Sequence, residues 1–190
     1  HTPDLSNIRQ IIERVSVICD LHADPSQISA QLGEDPAVSR SLELARGVRI
    51  PGAWDGFEVA VRAVIAREAA AIDPSNLMAE IARTYGEQLT VYGDGQPHIL
   101  FPTPASLADS DLSRVGVGDL AAKRIKLLAR SVVAGQVAFA PTASFSDIVS
   151  RLKAIAGLDV PTAHWVAMRT LGEPDAVPFG APLVPELGSR

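Results

Sequence analysis

GLDVPTAHWVAMRTLGEPDAVPFGAPLV, residues 157–184, decides how this chain is read. Gly157 is the residue type that ends a helix, because it takes positive φ without a Cβ penalty. The turn is tight, and a helix is expected from Pro161 to Leu171, followed by a loop rich in Pro and Gly. Upstream, Ser144 opens another helix, with Phe145, Ile148, Leu152 and Ile155 at helical spacing. Leu152 to Ala167 is therefore helix, glycine turn, helix. Such a hairpin brings backbone N–H groups close to phosphate oxygens, which makes it a device for holding DNA backbone. The layout alone is common, so its neighbours decide what it means.

Those neighbours are helical. Asp55 is placed to cap a long helix whose stripe is Phe57, Val61, Val64 and Ile65, extended by Ala60, Ala69 and Ile72. Asp73-Pro74 breaks it and starts another, carrying Leu77, Ile81 and Tyr85. PTPASLADSDL (102–112, numbered from Pro102) predicts two short helical turns, and Asp119 to Ala134 a clear amphipathic helix. Nearer the N-terminus, Asp4 or Ser6 can cap a helix with Ile8, Ile11, Ile12, Val15 and Ile18 on one face. Pro25 and Pro36 each mark a possible helix start, and Gly33 an end. No convincing strand pair and no repeat emerges. The expected class is all-α, a bundle of many short helices. We divide a single domain over 1–190 into N-terminal helices (1–50), central helices (51–137) and a hairpin region (138–190).

Composition agrees. The 190 residues are 47% hydrophobic and 21% charged, with 5% aromatics, which is globular rather than disordered. The formal net charge of −5 argues against a general nucleic-acid binder, which is usually basic, and leaves room only for a local patch. The single cysteine, Cys19, lies in the apolar run VSVIC and is expected to be buried; one cysteine fits a reducing, cytoplasmic setting. No secretory leader or membrane span is expected. The chain opens on His1-Thr2 without an initiator Met, and we expect a piece of a longer protein.

The order of the blocks raises the hairpin's meaning. PGAWDGFEVAVRAVIA (51–66), FPTPASLADSDL (101–112), AAKRIKLLARSVVAGQV (121–137) and TAHWVAMRTLGEPDAVP (162–178) run in the order found in a known family. The chain resembles the helix-hairpin-helix base-excision DNA glycosylases, in their 3-methyladenine DNA glycosylase II (AlkA-like) branch. The resemblance covers about three quarters of the chain. It implies a damaged base flipped into an aromatic pocket, a wedge residue filling the stack, and an aspartate that stabilises the cationic sugar. It also implies a hairpin that grips the backbone, and no cofactor or metal.

Set against that resemblance, several positions depart. The family hairpin runs close to Pro-Gly-Ile-Gly-Pro-Trp-Thr-Ala, and this chain has AGLDVPTA, residues 156–163. Gly157, Leu158 and Thr162 fall on hairpin positions expected to meet DNA. The second glycine is Asp159, a carboxylate where a phosphate would sit, repelling it by on the order of 1 kcal/mol at contact distance in water. A pocket tryptophan is replaced by Pro161, while its aromatic companion is present as Trp165. The wedge region falls on Arg67 and Glu68, and a carboxylate is a poor wedge. Read on its own, Glu68 is expected to be a solvated helix residue. The aspartate position is Ala181, so no catalytic residue is assigned. Asp175 matches an upstream aspartate of structural role.

Other chemistry is thin. His1, His22, His98 and His164 lack metal-ligand spacing. YGDGQPH (92–98) lacks the Lys-Ser/Thr of a phosphate loop. The basic run KRIK (123–126) reads as a solvated helix face. Three functions stand on these residues. The preferred one is a catalytically degenerate glycosylase-like domain, kept as a DNA-binding or regulatory module with weakened DNA contact. In some bacteria the family is fused behind an alkylation-response transcription regulator, so N-terminal regulatory domains are an expected partner. The alternatives are an active N-glycosylase for alkylated bases, and a domain reused for a small ligand or protein partner.

Overall fold

The computed structural model describes residues 7–35, 38–40, 47–68, 73–90, 97–139, 143–173 and 176. Asp4, Ser6, Pro36, Ala69, Ile72, Pro174, Asp175, Pro178 and Ala181 lie outside them. The chain divides into two compact units, His1–Trp54 and Asp55–Arg190.

In the first unit, α1 (Ile8–Ile18) and α2 (Pro25–Leu32) are the named helices. Asp24 caps α2, its carboxylate accepting from the Ser26 and Gln27 N–H groups at 2.8 and 3.2 Å, with Pro25 in the first turn. The predicted α1 stripe is real, but Ile8, Ile11, Ile12 and Val15 are exposed. Cys19 is exposed too, contrary to the expectation that VSVIC is a core run. Helical periodicity gives a face, and nothing in it guarantees that the face is covered.

The second unit holds the core. Asp55 caps α3 (Gly56–Glu68) as expected, its carboxylate accepting from the Phe57 N–H at 2.8 Å. Phe57, Ala60, Val61, Val64 and Ile65 recur at i, i+3, i+4, i+7 and i+8, and all five are buried. α4 (Pro74–Tyr85) starts at the Asp73 cap. A two-stranded antiparallel pair follows, β1 (Gln88–Thr90) with β2 (Pro97–Ile99), in register Leu89 to His98. Sequence reasoning missed this pair: three-residue strands are too short to show a period of two. Then come α5 (Pro104–Ala108), a 3₁₀ turn (Leu112–Val115), α6 (Asp119–Val133), α7 (Phe145–Ala156) and α8 (Val160–Leu171).

α3 packs against both α6 and α8, and α6 against α7. Ile125 and Leu128 of α6, Leu152 of α7 and Val166 of α8 are fully buried in this shared core. Each contributes about 1.5–3 kcal/mol relative to an exposed side chain. The all-α class holds, with one minor sheet. Among the described residues, no helix is long and apolar enough to cross a membrane. The packing brings the C-terminal end of α3 and the α6 face beside the α7–α8 turn, where the predicted site residues meet.

Candidate nucleic-acid interface

The turn is Gly157-Leu158-Asp159. Gly157 closes α7 with φ +62°, ψ +28°, the left-handed conformation the sequence predicts for it. The Leu158 N–H reaches back to the Leu152 carbonyl at 3.4 Å, and the Leu158 side chain is buried. Two of the hairpin residues expected at DNA therefore also do structural work: Leu158 is a core residue, and the fully buried Thr162 offers its backbone rather than its side chain.

Asp159 is the N-cap of α8. Its Oδ1 accepts from the Thr162 N–H at 2.9 Å, covering one of the free donors of the helix start. Its Oδ2 accepts from Arg67 Nη1, across 92 residues of sequence. Burial pushes the Asp159 carboxyl up, but hydrogen bonding from Thr162 and the adjacent Arg67 outweigh it and hold the group below the usual value of 3.8. The carboxylate is thus spent within the protein, a relation no local sequence pattern carries.

Glu68 is the next link. Its Oε1 accepts from Arg124 Nη1 of α6, and Arg67 Nε lies 3.9 Å from the same oxygen. Glu68 is only 21% exposed, so it is a paired, half-buried group rather than a solvated one. Arg124 then closes the circuit on the turn. A Cβ at Gly157 would start 2.8 Å from Arg124 Nε and 3.0 Å from Cζ. The guanidinium lies against the hairpin glycine. Asp159, Arg67, Glu68 and Arg124 form a chain of alternating charge, two guanidiniums against two carboxylates, ending where it began at the hairpin. Arg124 was hidden in the KRIK run, whose amphipathic pattern signals a helix face and no more.

Trp165 is one helical turn into α8 and 9% exposed. The Arg169 guanidinium sits over its ring, 5.4 Å from the centroid. Arg169 Nε is buried with no hydrogen-bond partner among the described residues. Burial, and then the like charge of Arg62, lower the Arg169 pKa from its ordinary value. His164 packs edge-on to Phe145 at 5.0 Å between ring centroids. Pro161 is half-buried in the first turn of α8. Among the described residues, no group of three or more His, Cys, Asp or Glu could hold a metal ion. The aspartate position, Ala181, lies outside the described residues.

Comparison with known proteins gives matches in sequence and in fold. Residues 1–55 match the AlkA N-terminal domain family. Over 175 residues, 92% of the chain, it is 30% identical to a probable bifunctional transcriptional activator/DNA repair enzyme AlkA of Mycobacterium tuberculosis, covering 35% of that protein. It is 29% identical over 164 residues, 84% of the chain, to DNA-3-methyladenine glycosylase 2 of Escherichia coli, covering 55% of it. The chain thus spans about a third and about half the length of these curated relatives. Its fold matches the 3-methyladenine DNA-glycosylase of Archaeoglobus fulgidus with a TM-score of 0.73 at 16% identity, over 91% of this chain and 59% of that one.

Proposed function

We propose that this chain, a member of the helix-hairpin-helix DNA glycosylase superfamily in its 3-methyladenine DNA glycosylase II branch, is a DNA-binding module of the alkylation response that does not cleave glycosidic bonds. It meets duplex DNA weakly, through the α7–α8 hairpin with Gly157, Asp159 and Thr162, flanked by Arg67 and Glu68. It works without a cofactor, in the cytoplasm. The regulatory part of the reading draws on the mycobacterial relative, whose name couples transcriptional activation to DNA repair.

Ala181 carries the non-catalytic part. A methyl group has neither charge nor lone pair to stabilise a cationic sugar, and Asp175 upstream is not promoted in its place. Two further features support it. Glu68 at the wedge is tied to Arg124 and Arg67. The ring of Trp165, at a base-pocket position with Pro161, is covered by Arg169. The preserved hairpin, with Gly157 in its left-handed conformation, supports the DNA part.

Two assays on the chain as it stands test this. Incubation with alkylated duplex DNA should release no methylated purine above background. Anisotropy with a duplex bearing an abasic analogue should show binding that weakens with salt. Release of methylated bases would establish the active-enzyme alternative. Robust release by Ala181→Asp alone would reduce the loss to one substitution and remove Glu68 and Asp159 from the explanation. No binding even at low salt would sink the DNA part and favour a small ligand or protein partner.

A further inference from the structure

The four-member charge chain has a specific use beyond the reading above, on which the following rests. Arg67 and Arg124 are the cations that flank the hairpin: one touches Asp159, the other lies on Gly157. Each is a planar fork suited to a phosphate. Each is occupied by a carboxylate of the same chain, Asp159 for Arg67 and Glu68 for Arg124. Asp159 also takes the Thr162 N–H at the start of α8. Two carboxylates thus engage three donor groups around one glycine turn. We propose that Asp159 and Glu68 stand in for two DNA phosphates, so that Arg67, Arg124 and the α8 amide form a phosphate-binding surface that is self-occupied in the free protein.

Competition follows from this arrangement. A DNA strand must displace the two carboxylates to gain the two arginines, so affinity is held down by groups that belong to the site itself. Removing a carboxylate frees its guanidinium for phosphate. Binding then tightens and gains salt dependence, because each added phosphate contact releases about 0.9 counterion equivalents on duplex DNA.

The test uses the full chain and the abasic-analogue duplex, titrated at several salt concentrations. The variants are Asp159→Asn, Glu68→Gln and the double variant. Asn is as good an N-cap as Asp, so the first preserves the start of α8. Glu80→Gln is the control: it frees Arg83 from an exposed ion pair on α4 and changes net charge equally. The expected result is several-fold tighter binding for each hairpin variant, more for the double variant, and a salt slope steeper by about one per freed arginine. Glu80→Gln should leave both affinity and slope unchanged. Unchanged or weaker binding by hairpin variants that remain folded and melt cooperatively above the assay temperature overturns the proposal, as does an equal gain in Glu80→Gln. In either of those cases, wild-type binding keeps the DNA reading intact. Absence of binding by every protein at low salt overturns that reading and this one together.

Discussion

At Asp159, one carboxylate does two structural jobs, and they separate by substitution. Asp159→Ala loses the cap and the Arg67 hydrogen bond, leaving Arg67 only its longer ion pair with Glu68 at 3.9 Å. It should cost about 1 kcal/mol, within the roughly 0.5–2 kcal/mol of an N-cap, read as a shift in urea midpoint. Asp159→Asn keeps the acceptor for the Thr162 N–H and loses only a partly exposed ion pair, a loss of about 1 kcal/mol or less. The pH dependence has a defined sign. The folded-state pKa lies below 3.8, so the charged group's stabilisation is complete above that value and fades as pH falls through the lower one. The wild-type advantage over Asp159→Asn should therefore hold at neutral pH and vanish in strong acid. Through the resemblance to a known family, sequence reasoning assigned Gly157 and Asp159 to the hairpin and Arg67 and Glu68 to the wedge region after the long helix. It could not see that they pair, since 92 residues separate Asp159 from Arg67, and it passed over Arg124 inside an ordinary basic run. Cys19 misled for a related reason: an apolar neighbourhood in sequence says nothing about whether another element covers it.

At the scale of elements, the long helices were legible and the short connections were not. α3, α6, α7 and α8 declare themselves by apolar spacing and by the Asp55 and Ser144 positions at their starts. The β1–β2 pair does not, because it is held by backbone contacts that side-chain patterning does not encode. Gly86 shows the constraint. It follows α4, and a Cβ there would lie 2.1 Å from the Leu100 carbonyl oxygen and 2.4 Å from that of Ala82. Both obstacles are main chain and cannot swing aside. Gly86→Ala should therefore cost at least the 1–3 kcal/mol typical of overpacking, seen as a lower melting temperature. Amide exchange should rise at Leu100, whose N–H bonds to the Glu87 carbonyl at 2.9 Å.

For the whole molecule, the distribution of the core makes a sharper prediction. Every buried hydrophobic among the described residues lies at Phe57 or beyond. A chain of residues 55–190 should therefore keep its helical content and cooperative melting, as followed by circular dichroism. Its hairpin charge chain is complete within that unit, because Arg67, Glu68, Arg124 and Asp159 all belong to it. Loss of cooperative melting in the fragment would show that the N-terminal 54 residues supply stability that their exposure does not suggest. The formal net charge of −5 sets the other whole-molecule constraint. If the proposed DNA reading holds, contact has to be local, so affinity should respond to substitutions at the hairpin more than to changes of charge elsewhere.

The two tryptophans, finally, give the protein a built-in optical label for each unit. Trp54 closes the first unit, is 55% exposed, and has Arg14 over its ring at 5.7 Å. Trp165 belongs to the second and is 9% exposed beneath Arg169. Their emission should differ in wavelength and in access to a soluble quencher such as acrylamide, the N-terminal indole being red-shifted and readily quenched, the other blue-shifted and shielded. A ligand that displaces Arg169 from its ring would change the shielded component alone, so light emitted by the unlabelled chain can report which unit a partner touches.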